Sequence, residues 1–122
     1  MAGQSREKEE ILVGGNDELL LPEREIPRLK EEALRGSADA ARKLALHFYA
    51  GLDRQDGMYW SAIGAENGDG VSAWNLALRL EESRDHLDRV RARFWFEKVR
   101  REGPAELREL AVPHLKALDA GK

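Results

Sequence analysis

The residues with chemistry to offer are few and scattered. Histidine occurs only at His47, His86 and His114, and no two of these have the i, i+4 spacing or the clustered carboxylates that a zinc or iron site uses. His47 falls beside the apolar Leu44 and Phe48, where an imidazole is expected to be packed or half-exposed as an ordinary side chain. The absence of cysteine removes thiolate metal sites, iron–sulfur centres, disulfide scaffolds and a cysteine nucleophile together. Carboxylates are plentiful, but from Glu23 to Glu32, Glu81 to Arg93 and Glu106 to Glu109 they are mixed with Arg and Lys, and ion pairing at i, i+4 on a solvated helix face accounts for them. The stretch Gly64, Ala65, Glu66, Asn67, Gly68, Asp69, Gly70 has no Lys-Ser or Lys-Thr after it and follows no strand. Its glycines are therefore read as helix punctuation and not as a phosphate loop. No catalytic residue, cofactor or metal is assigned, and the expectation is a chain that is not an enzyme.

The densest local charge lies between Arg84 and Arg101. There Arg84, Arg89, Arg91, Arg93, Lys98, Arg100 and Arg101 face only Asp85, Asp88 and Glu97, around Phe94, Trp95 and Phe96. Charge combined with stacking rings is one way to hold nucleic acid. Basic side chains every few residues on a long helix are more often a solvated face, and the same patch would also receive an acidic protein. The whole chain offers no supporting field, since 20 basic against 23 acidic residues leave a net charge of −3. Its 122 residues, 42% hydrophobic and 35% charged, suit one small domain or one short array. With no long apolar run and an acidic start at Met1 to Glu10, the expectation is a cytoplasmic protein with no membrane segment.

The elements that position these residues repeat. Tyr59 to Gly68 align with Phe94 to Gly103 at a spacing of 35, each reading aromatic, Trp, seven residues, Gly. Just upstream, Ala41 to Phe48 align with Ala73 to Leu80 at a spacing of 32, and the difference is a longer connector in the second copy. Ala41, Leu44, Ala45, Phe48 and Ala73, Leu76, Ala77, Leu80 fall at i, i+3, i+4, i+7, one stripe of an α-helix. Ser37 or Asp39 is the expected start of the first helix, Gly51 its left-handed stop, and Asp56 the cap of the next helix, which Gly68 closes. In the second unit the helices are expected from Val71 to Glu82 and from Asp85 to Glu102, with Gly103 as the stop and Pro104 at the first position of the next helix.

Pairs of this kind bury their stripes only by stacking on neighbours. The flanks supply these: a helix from Pro27 to Arg35 before, and one carrying Leu107, Leu110, Ala111, Leu115 and Leu118 after, which Pro113 is expected to kink or interrupt. Residues 1–25 form an irregular N-terminal arm. Ile11 to Val13 and Leu19 to Leu21 read either as two short strands around a turn or as an arm whose apolar patch folds back on the first helices. The domain reading is arm 1–25 and helical repeat domain 26–122, with repeats at about 36–69 and 70–104 and a capping helix at 104–120. The fold class is all-α, a short right-handed α-α superhelix of about five or six helices.

Across residues 36 to 104 this pattern resembles the Sel-one-like repeat (SLR), a relative of the tetratricopeptide repeat. Leu44-Ala45 and Leu76-Ala77 stand where the family has Leu-Gly, Trp60 and Trp95 at its tryptophan, and Gly68 and Gly103 at its closing glycine. Lys98 to Arg101 depart from the family's small-residue run, and the first connector, Leu52 to Gly57, is short. The resemblance implies an α-solenoid fragment that binds other proteins and has no enzymatic activity of its own.

In such solenoids the first helix of each pair lines the concave side, so the expected partner-binding residues are Lys43, Leu46, His47, Tyr49, Trp74, Asn75, Leu78 and Arg79. Trp74 is the sharpest, because Arg42 holds its place in the first copy and an exposed Trp beside Arg and Leu has the composition of a hot spot. The other reading packs Trp74 under a cap. Trp60 and Trp95 are both expected in the core. The functional expectation is a protein-binding module, monomer or weak homodimer, in its specific version an immunity or antitoxin-like protein that occludes a bacterial toxin. The alternative is an adaptor holding nucleic acid on residues 84–101.

Overall fold

Ser37 closes one helix and opens the next, and Asp69 repeats the arrangement further along. The computed structural model describes residues 19–121, among which there are six α-helices and no strand. They are α1 (Ile26–Leu34), α2 (Ala38–Ala50), α3 (Arg54–Glu66), α4 (Gly70–Glu81), α5 (His86–Glu102) and α6 (Ala105–Ala120), with a 3-10 turn at Glu23–Glu25 before α1. At the end of α1 the Gly36 N–H donates to Ala33 O and the Ser37 N–H to Glu32 O. At the end of α3 the Gly68 N–H donates to Ala65 O and the Asp69 N–H to Gly64 O. This double closure needs a left-handed residue at its centre, and Gly36 and Gly68 supply it with φ of +113° and +96°. Ser37 Oγ then accepts from Ala40 N–H, and Asp69 Oδ2 from Ser72 N–H, starting α2 and α4.

The α2–α3 connection has the same closure in a shifted register. Leu52, at φ 63°, takes the left-handed seat expected of Gly51, whose φ of −84° continues the last turn of α2. The shift arises because the Asp53 N–H reaches back to Phe48 O. Asp53 thereby becomes the cap of α3, accepting from the Asp56 N–H, so Asp56 lies inside the first turn instead of capping it. The later connections differ. Between α4 and α5 Ser83 accepts from Asp85 N–H and donates to Asp88, while Asp85 caps α5. At the end of α5 Gly103 is extended (φ −77°, ψ 179°), and Pro104 is the cap of α6, one place before its first helical residue.

Helices adjacent in sequence pack on one another, α1 on α2 through to α5 on α6. The expected stripes are buried: Ala41, Leu44 and Ala45 on α2, and Ala73, Leu76, Ala77 and Leu80 on α4, with Phe48 half-buried. One cluster gathers Leu29, Ala33, Leu44, Tyr49 and Trp60, and a second gathers Ala65, the apolar residues of α4, Phe96, Val99 and the inner face of α6. Met58 packs against both. In α4 every residue from Ser72 to Leu80 is buried, so it is the central helix. Gly64, read as punctuation, lies in the last turn of α3, where a Cβ would collide with the Ser72 side chain; its bare backbone lets α3 and α4 approach.

Pro113 does not break α6. It is exposed, and Leu107, Ala111, Leu115 and Leu118 hold the inner face on both sides of it. Leu110, placed with them from its spacing, is half exposed at 50%. Of the two strands considered for the arm, Ile11 to Val13 lie outside the described residues. Leu19 to Leu21 do not form a strand, since the Leu21 N–H donates to His47 Nδ1 at 2.9 Å.

Candidate interaction surface

Of the eight side chains expected to line a groove, five are core. Trp74 is 1% exposed: its ring meets the edges of Phe96 (5.5 Å) and His114 (5.4 Å), which enclose it from α5 and α6. The cap reading of Trp74 is therefore the one realised, and it is not an exposed anchor. Asn75 and Leu78, on the same helix, are also buried. Tyr49 and Arg79 meet between α2 and α4, with the Arg79 guanidinium 5.2 Å from the centre of the Tyr49 ring. Ser61 Oγ on α3 donates to the Tyr49 hydroxyl, Arg79 pairs with Glu82, and Glu82 pairs with Arg54. This polar seam runs from the buried Ser61–Tyr49 contact out to the exposed Arg54, and burial pushes the Tyr49 hydroxyl above its ordinary range.

The other three stay accessible on α2. Lys43 is exposed and pairs with Asp39, whose carboxyl it holds below the usual range. Leu46 is half-buried against the first cluster, and half-buried His47 accepts from Leu21 N–H. The remaining histidines are far apart in role. His86 opens α5 and is exposed, whereas His114 binds Glu81 through Nδ1 at 2.8 Å and stacks on Phe96 at 4.6 Å. Among the described residues no group of three or more His, Asp or Glu side chains is placed to hold a metal ion, and no helix is long and apolar enough to cross a membrane.

A further accessible surface, which the spacing of the repeats does not mark, lies on α5. Its inner stripe is Ala92, Phe96 and Val99, all buried. Trp95, assigned to the core by its alignment with Trp60, is half-buried and packs against the second cluster, while its neighbour Phe96 is fully buried within it. Trp60 itself is buried as expected. The rotation that turns Phe96 inward turns Phe94 outward, and with Leu87 and Val90 it forms a second apolar row. Leu87 is 69% exposed, Val90 51% and Phe94 57%. At 100° per residue the three fall within a sector of about 60°. The row is legible in the sequence as apolar residues at i, i+3, i+7, a spacing that overlaps the Trp-to-Gly pattern of Trp95 to Gly103.

Charges frame this row. Arg93 pairs with Asp119, Lys98 with Glu102, and Arg100 and Arg101 with Glu97. The Arg100 guanidinium holds the Glu97 carboxyl below its usual range. Asp88 is taken by Ser83 and Asp85 by the helix start. Arg84, Arg89 and Arg91 have no ion pair among the described residues. Beside Val90 a cleft of about 150 Å³ opens between α5 and the end of α6, lined by His86, Arg89, Val90, Arg93, Leu118 and Gly121.

Among the described residues the fold is all-helical, and beside the exposed Leu34, Leu52, Tyr59 and Leu110 of other segments the three-residue row on α5 is an aligned set of accessible apolar side chains on one helix face. Comparison with protein-family models, with curated proteins and with solved structures gives no match.

Proposed function

We propose that the chain is a cytoplasmic, non-enzymatic protein-binding module, a short right-handed α-α superhelix of the kind its Sel-one-like resemblance implies. The matching closures at Gly36 and Gly68, followed by matching caps at Ser37 and Asp69, support the repeat reading. One observation carries the binding function: Leu87, Val90 and Phe94 stand more than half exposed in one row on the outward side of α5, among charged side chains. Large apolar side chains aligned in this way mark an association surface, whereas isolated ones are ordinary. Lys43, Leu46 and His47 on α2 form a lesser, separate surface in this reading. Stoichiometric occlusion of a toxin by an immunity-type protein is the specific version that a small chain with such a face suits.

The test is affinity capture from lysate of the native host, with wild type beside Phe94→Ser, at low salt and at about 0.5 M, where surface electrostatics are largely screened. The expected result is one protein that survives high salt on wild type and is lost from Phe94→Ser, identified by mass spectrometry. Nucleic acid alone, eluting as salt rises, would transfer the function to the basic face of residues 84–101.

A further inference from the structure

Resting on that reading, the α5 face also specifies its occupant. We infer that the row Leu87, Val90, Phe94 and the adjoining Arg89 cleft receive an acidic amphipathic helix of a partner protein. The apolar row runs along α5 at i, i+3, i+7, the spacing at which a second helix lays its own apolar stripe. Val90 belongs both to the row and to the cleft, so the two are one continuous surface. A residue one turn along the docked helix would send its side chain into the cleft.

Charge selects among such helices. The acids near the row are already engaged, Glu97 by Arg100 and Arg101, and Asp119 by Arg93. Arg91 is exposed on one flank of the row, while Arg89 is half-buried in the cleft on the other, both without an ion pair among the described residues. A carboxylate entering the cleft would meet Arg89 over an apolar floor of Val90 and Leu118, where a charge-assisted bond is stronger than on open surface. A basic helix would instead bring its cations against Arg89 and Arg91, which disfavours it. Nucleic acid would use the same cations but would gain little from Leu87 and Val90, which offer no stacking face.

The experiment is selection of helical peptides, displayed on phage with randomised faces, against the full-length chain, with recovered peptides re-tested on Phe94→Ser and Arg89→Gln. The expected winners carry apolar residues at i, i+3, i+7 with Asp or Glu alongside. Their binding should fall at least about tenfold on either variant, and replacing their acids by Gln or Asn should weaken them by a similar factor. Circular dichroism of both variants keeps loss of binding separate from loss of fold. Neutral helices that win equally and still need Phe94 would overturn the acidic preference and leave the protein-binding reading standing. Winners indifferent to Phe94→Ser would overturn both for this face. No winner, with self-association of the wild type that Phe94→Ser abolishes in sedimentation, would give the face to a second copy of the chain. Salt-sensitive binding of a single-stranded oligonucleotide in place of any helix would give it to nucleic acid.

Discussion

The His114 Nδ1–H donates to the Glu81 carboxylate at 2.8 Å while the imidazole lies flat on Phe96 and edge-on to Trp74. This contact ties α6, which packs on α5, to the end of α4 beside the buried Trp74. Removing one partner leaves the other poorly solvated, at a cost of about 1–3 kcal/mol. In a double-mutant cycle with Glu81→Gln and His114→Phe the two losses should fall short of additive by about 1 kcal/mol. Additive losses in urea denaturation would mean that the two side chains are not coupled.

Gly64 packs directly on Ser72, with no room for a methyl group. Gly64→Ala should cost about 1–3 kcal/mol as overpacking, although alanine is the better helix former. Thermal unfolding of Gly64→Ala next to Ser72→Ala tests this, and a rise in melting temperature for Gly64→Ala would contradict the close approach of α3 and α4.

Leu52 occupies a left-handed conformation while its side chain is 86% exposed. The backbone cost for a non-glycine residue is roughly 1–2 kcal/mol, and glycine's greater freedom in the unfolded chain returns roughly 0.5–1 kcal/mol of that. Leu52→Gly should therefore stabilise the protein by about 0.5–1 kcal/mol, seen as a higher urea midpoint at unchanged slope. Gly36→Ala and Gly68→Ala should move the midpoint the opposite way.

Burial raises the Tyr49 hydroxyl above the ordinary tyrosine value, and the Ser61 hydrogen bond and the nearby Arg79 and Arg54 offset this only in part. The folded chain thus holds that proton more tightly than the unfolded chain. The corresponding stability is complete below about pH 10 and is lost as pH rises through the folded value. Absorbance titration should show late ionisation of Tyr49 coinciding with loss of helical circular dichroism, and Tyr49→Phe should flatten stability across that range. Early ionisation of both tyrosines without unfolding would refute it.

Much of the architecture was legible because it depends on local pattern. The apolar stripes of α2 and α4 and the glycines at 36 and 68 announce themselves in a short window, and the structure keeps them. What the pattern misplaced was rotational. Whether Trp95 or Phe96 faces inward differs by 100° of helix turn, and the answer depends on how α6 lies against α5. The same holds for Trp74, whose neighbours Phe96 and His114 come from distant parts of the chain. The sequence contained the spacing of Leu87, Val90 and Phe94 all along, but a second apolar row becomes informative only once the first is known to be satisfied.

The residue that finishes one helix and starts the next gives the chain a property of its own. The segment from Ser37 to Gly68 begins with a cap and ends with a left-handed stop, and Asp69 supplies the next cap immediately. A further copy spliced at that seam would present each neighbour with the hydrogen-bond donors and acceptors it already meets. The cap-to-stop pattern therefore closes the segment at both ends with the same backbone hydrogen bonds, so the seam itself sets no backbone obstacle to a longer chain.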